Sequence, residues 1–165
     1  MSKGKSNSLI ALAAFGATTA GVAWLSGRYT RDGNRNAWYR ELDKPGFTPP
    51  DSAFPIVWTA LYAMIAWSGW RIWCATPSRE RNRALGLWIA QLAADVRWSK
   101  LFFGQKHPMA ALGDVVALER IVISYIAASH KVDRAAAAMF VPYAAWVAFA
   151  AVLNAEIVRR NPQEL

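Results

Sequence analysis

Uncharged apolar stretches alternate with short charged ones along the whole chain. Residues 9–26, 52–70 and 135–155 contain no Asp, Glu, Lys or Arg. A helix needs about 20 mostly apolar residues to cross a bilayer, with a lower limit near 17, so each stretch is long enough. Two further apolar segments are interrupted by charges. The pattern predicts five membrane-crossing helices, at approximately residues 9–27, 52–74, 84–103, 109–129 and 134–159.

The connections after the second, third and fourth segments are short, at residues 76–78, 104–108 and 130–133. Short connections between long helices place neighbours antiparallel in a compact bundle. The predicted fold class is all-α: a polytopic membrane protein in which residues 1–165 form one domain, a five-transmembrane-helix bundle. The first segment follows two lysines, as a secretory signal does. Its uncharged stretch is longer than the roughly 7–15 residues of a signal core, which favours a retained helix.

The connection at residues 28–50 is long for a turn, and connections of this length tend to be functional. Pro45, Pro49 and Pro50 fix φ and remove backbone donors, so we expect a stiff, non-helical segment here. Trp38 and Tyr39 suit the water–membrane boundary, where the ring is buried and the polar atom stays wet. Two interpretations remain open: an interfacial anchor, or a lid over a pocket.

Composition and charge narrow the function classes. Of the 165 residues, 55% are hydrophobic and nine are Trp, which excludes a disordered chain. Cys74 is the only cysteine, so we expect neither a disulfide framework nor a Cys-rich zinc site. The net charge of +8 comes mostly from basic residues between the apolar segments, so nucleic acid is not an expected partner. Because these residues divide equally between the two sides, they leave the membrane orientation open.

Aromatic and polar residues recur at helical spacing on one face of three predicted helices. They are Trp58 and Tyr62 in the second, Gln91, Asp95, Trp98 and Phe102 in the third, and Tyr143, Trp146, Ala150 and Asn154 in the last. Polar groups in hydrocarbon are costly unless they point inward, so these faces should converge. Hydrogen bonds between packed helices, made by Gln91 and Asn154, are one explanation. An aromatic-walled cavity with a few polar groups is the explanation that we favour.

Several short motifs follow one another along the chain. They are Trp38-Tyr39, Lys44-Pro45, Pro49-Pro50, Phe54-x-x-x-Trp58-x-x-Leu61-Tyr62, Gln91-Leu92, Trp98-Ser99-x-Leu101-Phe102-Phe103-Gly104, Val141-Pro142-Tyr143-x-x-Trp146, Phe149-Ala150 and Leu153-Asn154. With these motifs the chain resembles the TspO/translocator-protein family, whose members are also called tryptophan-rich sensory proteins or peripheral benzodiazepine receptors. The resemblance covers roughly residues 9 to 160.

The resemblance implies a five-helix membrane bundle, commonly a homodimer, with a ligand cavity under the first loop. Members of the family bind porphyrins, including haem and protoporphyrin, and benzodiazepine-type ligands. Carried over by position, the ligand-binding residues would be Trp38, Pro45, Trp58, Tyr62, Asp95, Trp98, Phe102, Tyr143, Trp146, Ala150 and Asn154. A porphyrin or haem is the expected ligand, and neither a required cofactor nor a metal site is expected.

A flat tetrapyrrole suits aromatic walls, since its macrocycle can stack on indole rings. Its propionates would lie near the first loop, where a cation could pair with them. The candidate cations are Arg28, Arg31, Arg35, Arg40 and Lys44.

Two departures from the family pattern bear on the ligand. Asp95 stands where the family usually carries Asn, and a carboxylate there would oppose a propionate unless burial kept it protonated. The family's sterol motif is incomplete, because no Lys or Arg follows Tyr143 within five residues. Sterol binding is therefore given little weight.

Charged residues also occur inside the third and fourth segments: Arg97, Lys100, Glu119 and Arg120. Unpaired, four such charges would cost on the order of 10 kcal/mol in a bilayer. We hypothesise that Glu119 pairs with Arg97 or Lys100, within the chain or across a homodimer. Asp114 is interpreted as an inward polar residue, with a proton relay as the alternative.

The sequence favours an integral, multi-pass membrane protein that binds porphyrins and has a sensory or regulatory role in tetrapyrrole or stress metabolism. The expected partners are a planar apolar small molecule, membrane lipid and a second copy of the chain. No nucleophile–base constellation is visible, and His107 and His130 fall in short loops, so no catalytic residue is assigned. Two alternatives remain: a transporter of tetrapyrroles or other apolar metabolites, and a porphyrin-degrading enzyme that uses a light-generated radical on a Trp such as Trp146.

Overall fold

A computed structural model of the chain describes residues 2–35 and 37–164, with side chains for residues 7–31 and 37–164. Every regular element in these residues is a helix. The elements are α1 (Ser2–Arg35), α2 (Ala37–Glu41), α3 (Ala53–Cys74), α4 (Arg79–Ser99), a π-helical turn (Lys100–Gly104), α5 (Pro108–His130), α6 (Arg134–Met139), α7 (Val141–Arg160) and a 3₁₀ turn (Pro162–Glu164). The all-α prediction is confirmed.

Two helical stretches are long and apolar enough to cross a bilayer by length and composition. They are Asn7–Arg31, with a mean hydropathy of 1.7, and Arg134–Arg160, with a mean hydropathy of 1.9. The second stretch contains α6 and α7, which are separated at Phe140. The break precedes Pro142 in the first turn of α7, where the missing backbone donor is tolerated.

The prediction of a non-helical segment at residues 28–50 is wrong over most of its length. Helix α1 continues to Arg35, and α2 occupies Ala37–Glu41. Residues 28–35 contain no Pro, so nothing stops the helix where the apolar stretch ends. Hydropathy marks the part of a helix that suits hydrocarbon and does not mark where the helix stops. Within the described residues 28–35 and 37–52, the non-helical part is residues 42–52, where the three prolines lie.

The helices pack in pairs: α1 against α3, α4 against α5, and α5 against α7. Polar contacts join α3, α5 and α6 at the centre of the bundle. Ser68 of α3 lies 2.7 Å from the Tyr125 hydroxyl of α5 and donates to the Ala136 carbonyl of α6 at 2.8 Å. The Tyr125 ring packs on Phe140, with centroids 4.0 Å apart. All four side chains are fully buried, so this contact fixes how α6 enters the core.

Gly69 allows two aromatic rings to lie against the backbone of α3. A Cβ atom at this position would stand 2.5 Å from Nε1 of Trp88 and 2.7 Å from Cδ1 of Phe15. The Trp88 ring cannot easily retreat, because it is buried and its indole N–H donates to the Ile65 carbonyl at 2.9 Å. The glycine therefore sets the close approach of α1, α3 and α4.

We expect Gly69→Ala to lower the free energy of unfolding by about 1–3 kcal/mol, because the methyl group would displace a ring in a close-packed core. Thermal unfolding in detergent measures the effect. Gly86→Ala is the matched control, since nothing lies within 4 Å of a Cβ built there. Equal melting temperatures for the two variants would show that the Trp88 and Phe15 rings can move aside without a loss of stability, and would contradict this prediction.

Asp133 begins α6 and connects it to α3. Its carboxylate accepts from the backbone N–H groups of Ala135 and Ala136, at 2.8 and 3.0 Å, and pairs with Arg71 at 2.8 Å. Partial burial opposes ionisation, but the Ala136 N–H and the Arg71 guanidinium outweigh it and hold the pKa of Asp133 below its ordinary value of 3.8. The carboxylate therefore stabilises the fold at neutral pH, and this contribution disappears as the pH falls through the lowered pKa.

We expect Asp133→Ala to destabilise the protein by about 1–2 kcal/mol at pH 7, because the helix loses its N-cap. Asp133→Asn keeps a capping oxygen and loses only the ion pair with Arg71, at most about 1 kcal/mol. At pH 7 the melting temperature of the wild type should exceed that of the Asn variant. This difference should shrink as the pH falls to 3 and Asp133 becomes protonated. An advantage that does not change with pH would contradict the assignment.

The hypothesis that Glu119 pairs with Arg97 or Lys100 within the chain is wrong. Arg97 forms its ion pair with Asp114, at the α4–α5 contact. These two residues lie at similar distances from the turn that joins the helices, whereas Glu119 is more than one helical turn deeper. One Glu119 oxygen is buried without a hydrogen-bond partner in the described part of the chain. Asp114 is buried, as its interpretation as an inward polar residue requires.

Candidate functional site

The inner face of α4 carries the polar centre of the site. Gln91, Asp95 and Ser99 of α4 and Phe102 of the π-helical turn that follows are buried, and Trp98 is half-buried, at the spacing that puts successive turns on one face. The Asp95 carboxylate accepts a short hydrogen bond of 2.5 Å from the Tyr62 hydroxyl of α3. The same oxygen accepts a longer bond of 3.4 Å from Ser26 of α1. Asp95 thus joins three helices.

Asn154 forms the second polar junction, between α4, α5 and α7. Its side-chain oxygen accepts from the Trp98 indole N–H at 3.2 Å. Its side-chain nitrogen donates to the Pro108 carbonyl at the start of α5, at 2.9 Å. The interhelical explanation for Asn154 is therefore confirmed. It is wrong for Gln91, whose nitrogen donates to the carbonyl of Trp88 in its own helix.

Aromatic rings surround these two junctions. The Trp58 ring lies 5.3 Å from Tyr62 and 6.2 Å from Tyr143. The Trp98 ring stacks on Phe102 at 5.6 Å, and Phe102 lies 5.9 Å from Trp38 of α2. We call this set the interior aromatic cluster: Trp38, Trp58, Tyr62, Trp98, Phe102 and Tyr143. The six predicted residues form two groups, Trp58 with Tyr62 and Tyr143, and Trp98 with Phe102 and Trp38. Trp98 packs against both parts of the hydrophobic core, and the hydrogen bond from Tyr62 to Asp95 links α3 to α4 between the two groups.

Three predicted residues lie at the margin of the interior aromatic cluster. Trp146 contacts Phe54 at 5.9 Å, and one side of it lines an apolar groove of about 550 Å³ between α3 and α7. Ala150 is half-buried one turn further along α7. Pro45 is buried, and its carbonyl accepts from the backbone and hydroxyl of Thr48 at 3.0 and 2.7 Å. Pro45 therefore shapes the loop and contributes no donor to the site.

Two buried polar atoms, one on Tyr143 of the cluster and one on Gln91 of the inner face of α4, are not satisfied by the described residues. Oε1 of Gln91 and the Tyr143 hydroxyl are buried and have no hydrogen-bond partner there. Leaving a buried polar atom unpaired costs about 1–3 kcal/mol, so such atoms in a native core need an explanation. A bound molecule with a donor for Gln91 and an acceptor for Tyr143 would supply one.

Sequence reasoning missed the residues that hold the loop over this cluster. The Trp38 indole N–H donates to the Glu164 carboxylate at 2.6 Å. The buried Asn161 side chain accepts from the backbone N–H of Asp43 at 2.9 Å and donates to its carbonyl at 3.1 Å. We call Asn161 and Glu164 the C-terminal clasp. No spacing signal marks them, because the contacts join residues more than 110 positions apart.

We expect Asn161→Ala combined with Glu164→Ala to loosen residues 37–43, since the three hydrogen bonds of the clasp to these residues are lost and each contributes about 1 kcal/mol. Amide hydrogen exchange of these residues should accelerate on the order of a hundredfold by the same estimate. Gln163→Ala is the control, because Gln163 is exposed and lies between the two clasp residues. Unchanged exchange at residues 37–43 would show that other contacts hold the loop.

The cations predicted near the loop have different environments. Lys44 donates to the Tyr39 carbonyl at 2.8 Å and lies over the Tyr39 ring at 4.3 Å. Arg28 and Arg31 on α1 and Arg40 on α2 are exposed. The Arg35 side chain lies outside the described residues. Three cations therefore stand exposed at the loop end of the bundle, and Lys44 is engaged in holding the loop.

The described residues contain no group of three or more His, Cys, Asp or Glu that could hold a metal ion. His107 and His130 are exposed at opposite ends of α5. The site itself presents aromatic rings, the Tyr62–Asp95 hydrogen bond and the Asn154 amide.

Comparison with known proteins gives a consistent family. A model of the TspO/MBR family matches residues 14–160. The Tryptophan-rich protein TspO of Chlorobaculum tepidum is 36% identical over 132 residues, covering 76% of this chain and 80% of the relative. The Tryptophan-rich sensory protein of Cereibacter sphaeroides is 36% identical over 124 residues, covering 75% and 77%. The Translocator protein of Bos taurus is 34% identical over 140 residues, covering 84% and 82%.

The matched span contains α3 to α7, and the relatives align with most of their own length. The family that the motifs indicated is therefore confirmed, and the chain belongs to the TspO/MBR family of membrane proteins.

Proposed function

We propose that this membrane protein binds a planar porphyrin in the interior aromatic cluster and reports tetrapyrrole or stress status. The proposal includes the finer features that the family resemblance implies: five membrane-spanning helices, passage through the membrane several times, and a homodimer. Haem and protoporphyrin are the expected ligands, with benzodiazepine-type compounds as synthetic ones.

The observation that carries the proposal is the convergence of indole and phenol rings from three helices under α2. Trp58, Trp98 and Tyr143 come from α3, α4 and α7, and Trp38 is held above them by the C-terminal clasp. Indole rings supply large faces for stacking on a flat macrocycle. A lipid-facing surface would not need such rings to converge around buried Asp95 and Asn154.

Polar atoms in and near the cluster match a porphyrin. The unpaired Gln91 oxygen can accept from a pyrrole N–H, and the Tyr143 hydroxyl can donate to a ring nitrogen or a carboxylate. Arg28, Arg31 and Arg40 are exposed at the loop end, where propionates would emerge. Asp95 works against a propionate placed deeper, so the ligand should enter with its carboxylates toward the loop.

Binding requires the cluster to open. The rings of Trp58, Tyr62 and Tyr143 contact one another directly, and Phe102 is buried under Trp38. A ligand can bind only a conformation in which these rings part, so its apparent affinity includes the population of that conformation. Residues 37–43 and the clasp are the part of the site best placed to move.

Absorbance and fluorescence titration of the purified protein with haem, protoporphyrin and a sterol tests the proposal. We expect saturable binding of both tetrapyrroles with a shifted absorbance band, and weaker or absent binding of the sterol. Sterol binding without tetrapyrrole binding would overturn the proposal.

Two further measurements separate sensing from the alternatives. Flux of a labelled porphyrin into vesicles containing the protein would favour a transporter. A new absorbance product that forms under light and is lost in Trp146→Phe would favour an enzyme. Saturable binding with neither flux nor product is the outcome expected for a sensor.

A further inference from the structure

A second cavity lies at the end of the bundle opposite the loop. It has a volume of about 640 Å³ and lies between the start of α4 and the last two turns of α5. Its lining residues are Arg79, Glu80, Arg83, Ile123, Ser124, Ala127, Ala128 and Lys131. None of them belongs to the interior aromatic cluster or to the C-terminal clasp. The cavity is therefore a feature separate from the proposed porphyrin site.

The polar end of this cavity is strongly cationic. Arg79, Arg83 and Lys131 are exposed, and Glu80 is the one carboxylate among the lining residues. Within the described parts of the chain, none of the three cations has a carboxylate within ion-pair distance. The neighbouring Arg81 differs, because it donates to the Trp73 carbonyl at 2.7 Å and stacks on the Trp73 ring. The three cations are thus available to an anion, and Arg81 is not.

The other end of the cavity is apolar and extends along α5 away from the helix end. Ile123 is 54% exposed, Ala127 is exposed, and Ala128 forms a buried floor. Lys131 and Ile123 are eight residues apart, which corresponds to about 12 Å along a helix. The cavity therefore changes from cationic to apolar over a distance that fits the first part of a phospholipid, from its phosphate to the upper acyl chains.

We propose that this cavity binds one anionic phospholipid, with its phosphate among Arg79, Arg83 and Lys131 and an acyl chain along Ile123 and Ala127. Guanidinium and ammonium groups form charge-assisted hydrogen bonds with phosphate oxygens. The chain is a membrane protein, so the end of α4 lies where headgroups are present at high local concentration. A soluble phosphate would use the cations and leave the apolar side of the cavity uncovered.

Lipid retention measured by native mass spectrometry tests this site. The protein is first exchanged into nanodiscs that contain equal amounts of phosphatidylglycerol and phosphatidylcholine. When it is released from them, the lipid that stays bound to the protein should be enriched in phosphatidylglycerol. In the triple variant Arg79→Gln, Arg83→Gln, Lys131→Gln we expect the enrichment to fall at least about fivefold, since basic residues near an anionic surface contribute additively. The matched control is Lys100→Gln, Lys106→Gln, Arg159→Gln, which removes the same charge from exposed positions at the loop end of the bundle and should keep the enrichment.

Two further measurements test the lipid site without the triple variant, in case that variant folds poorly. The single variant Ile123→Ser should reduce phosphatidylglycerol retention without changing the charge. In the wild type, inorganic phosphate at millimolar concentration should not displace the lipid or raise the melting temperature as phosphatidylglycerol does. Equal enrichment in the two triple variants, or equal stabilisation by inorganic phosphate, would overturn the lipid site.

Discussion

Replacing Trp58 and Trp146 together with Ala is expected to weaken protoporphyrin binding at least tenfold, which is about 1.4 kcal/mol. The Trp58 ring belongs to the interior aromatic cluster and contacts Tyr62 and Tyr143, and Trp146 lies at the margin of the cluster on α7. Each ring removed takes away stacking area that a macrocycle would cover. The shift of the porphyrin absorbance band measures the affinity and does not depend on the number of indoles left in the protein.

The control variant for this experiment is Trp24→Ala with Trp67→Ala. These two rings are 61% and 47% exposed and lie outside the cluster. The control should bind protoporphyrin as the wild type does. Equal weakening in both double variants would mean that the effect comes from indole content or stability, and it would contradict the placement of the site.

Tyr62→Phe is expected to lower the free energy of unfolding by about 2–3 kcal/mol, because it removes a hydrogen bond to a buried carboxyl group. Asp95 is 1% exposed, and among the described residues its other side-chain hydrogen-bond partner is Ser26, at 3.4 Å. The loss of the 2.5 Å bond from Tyr62 therefore leaves Asp95 poorly satisfied. Thermal or denaturant unfolding in detergent measures the change.

A double-mutant cycle with Asp95→Asn isolates the contact. In the Asp95→Asn background an amide replaces the carboxyl group, and Tyr62→Phe should cost less than in the wild type. Additive effects of the two substitutions on stability would show that Tyr62 and Asp95 do not act as a pair.

The existence of the long helices could be predicted because apolar length and charge-free stretches are direct properties of the sequence. The extension of α1 through residues 28–35 could not, since a polar helix beyond the membrane has no hydropathy signal. The order of Pro45, Pro49 and Pro50 did locate the part of the connection that is not helical. Hydropathy indicates where the apolar stretch ends, whereas proline positions indicate where a helix cannot continue. In the connection at residues 28–50 these two boundaries differ.

The inward faces of α3, α4 and α7 could be predicted from the 3.6-residue repeat, because polar and aromatic residues share those faces. The specific partners of Asp95 and Asn154 could not, since a repeat gives the direction of a side chain and not what lies opposite it. Arg97 and Glu119 illustrate the same limit. Their opposite charges favoured an ion pair between them. Arg97 pairs instead with Asp114, which lies at a similar distance from the α4–α5 turn, whereas Glu119 lies deeper.

The C-terminal clasp shows what a single sequence leaves hidden. Asn161 and Glu164 follow the last apolar segment, and their residue types do not distinguish them from other exposed polar residues. In the fold, the 3₁₀ turn at Pro162–Glu164 carries Glu164 to the Trp38 indole at 2.6 Å. A loop that bears a ligand-binding candidate is therefore tied to the end of the described chain.

A structure of the protein with protoporphyrin bound tests the central claim most directly. We expect the macrocycle between the rings of Trp58 and Trp98, with its propionates toward Arg28, Arg31 or Arg40 and with residues 37–43 displaced from their present position. A macrocycle on the outer, lipid-facing surface of the bundle, with the interior rings still in contact with one another, would contradict the account.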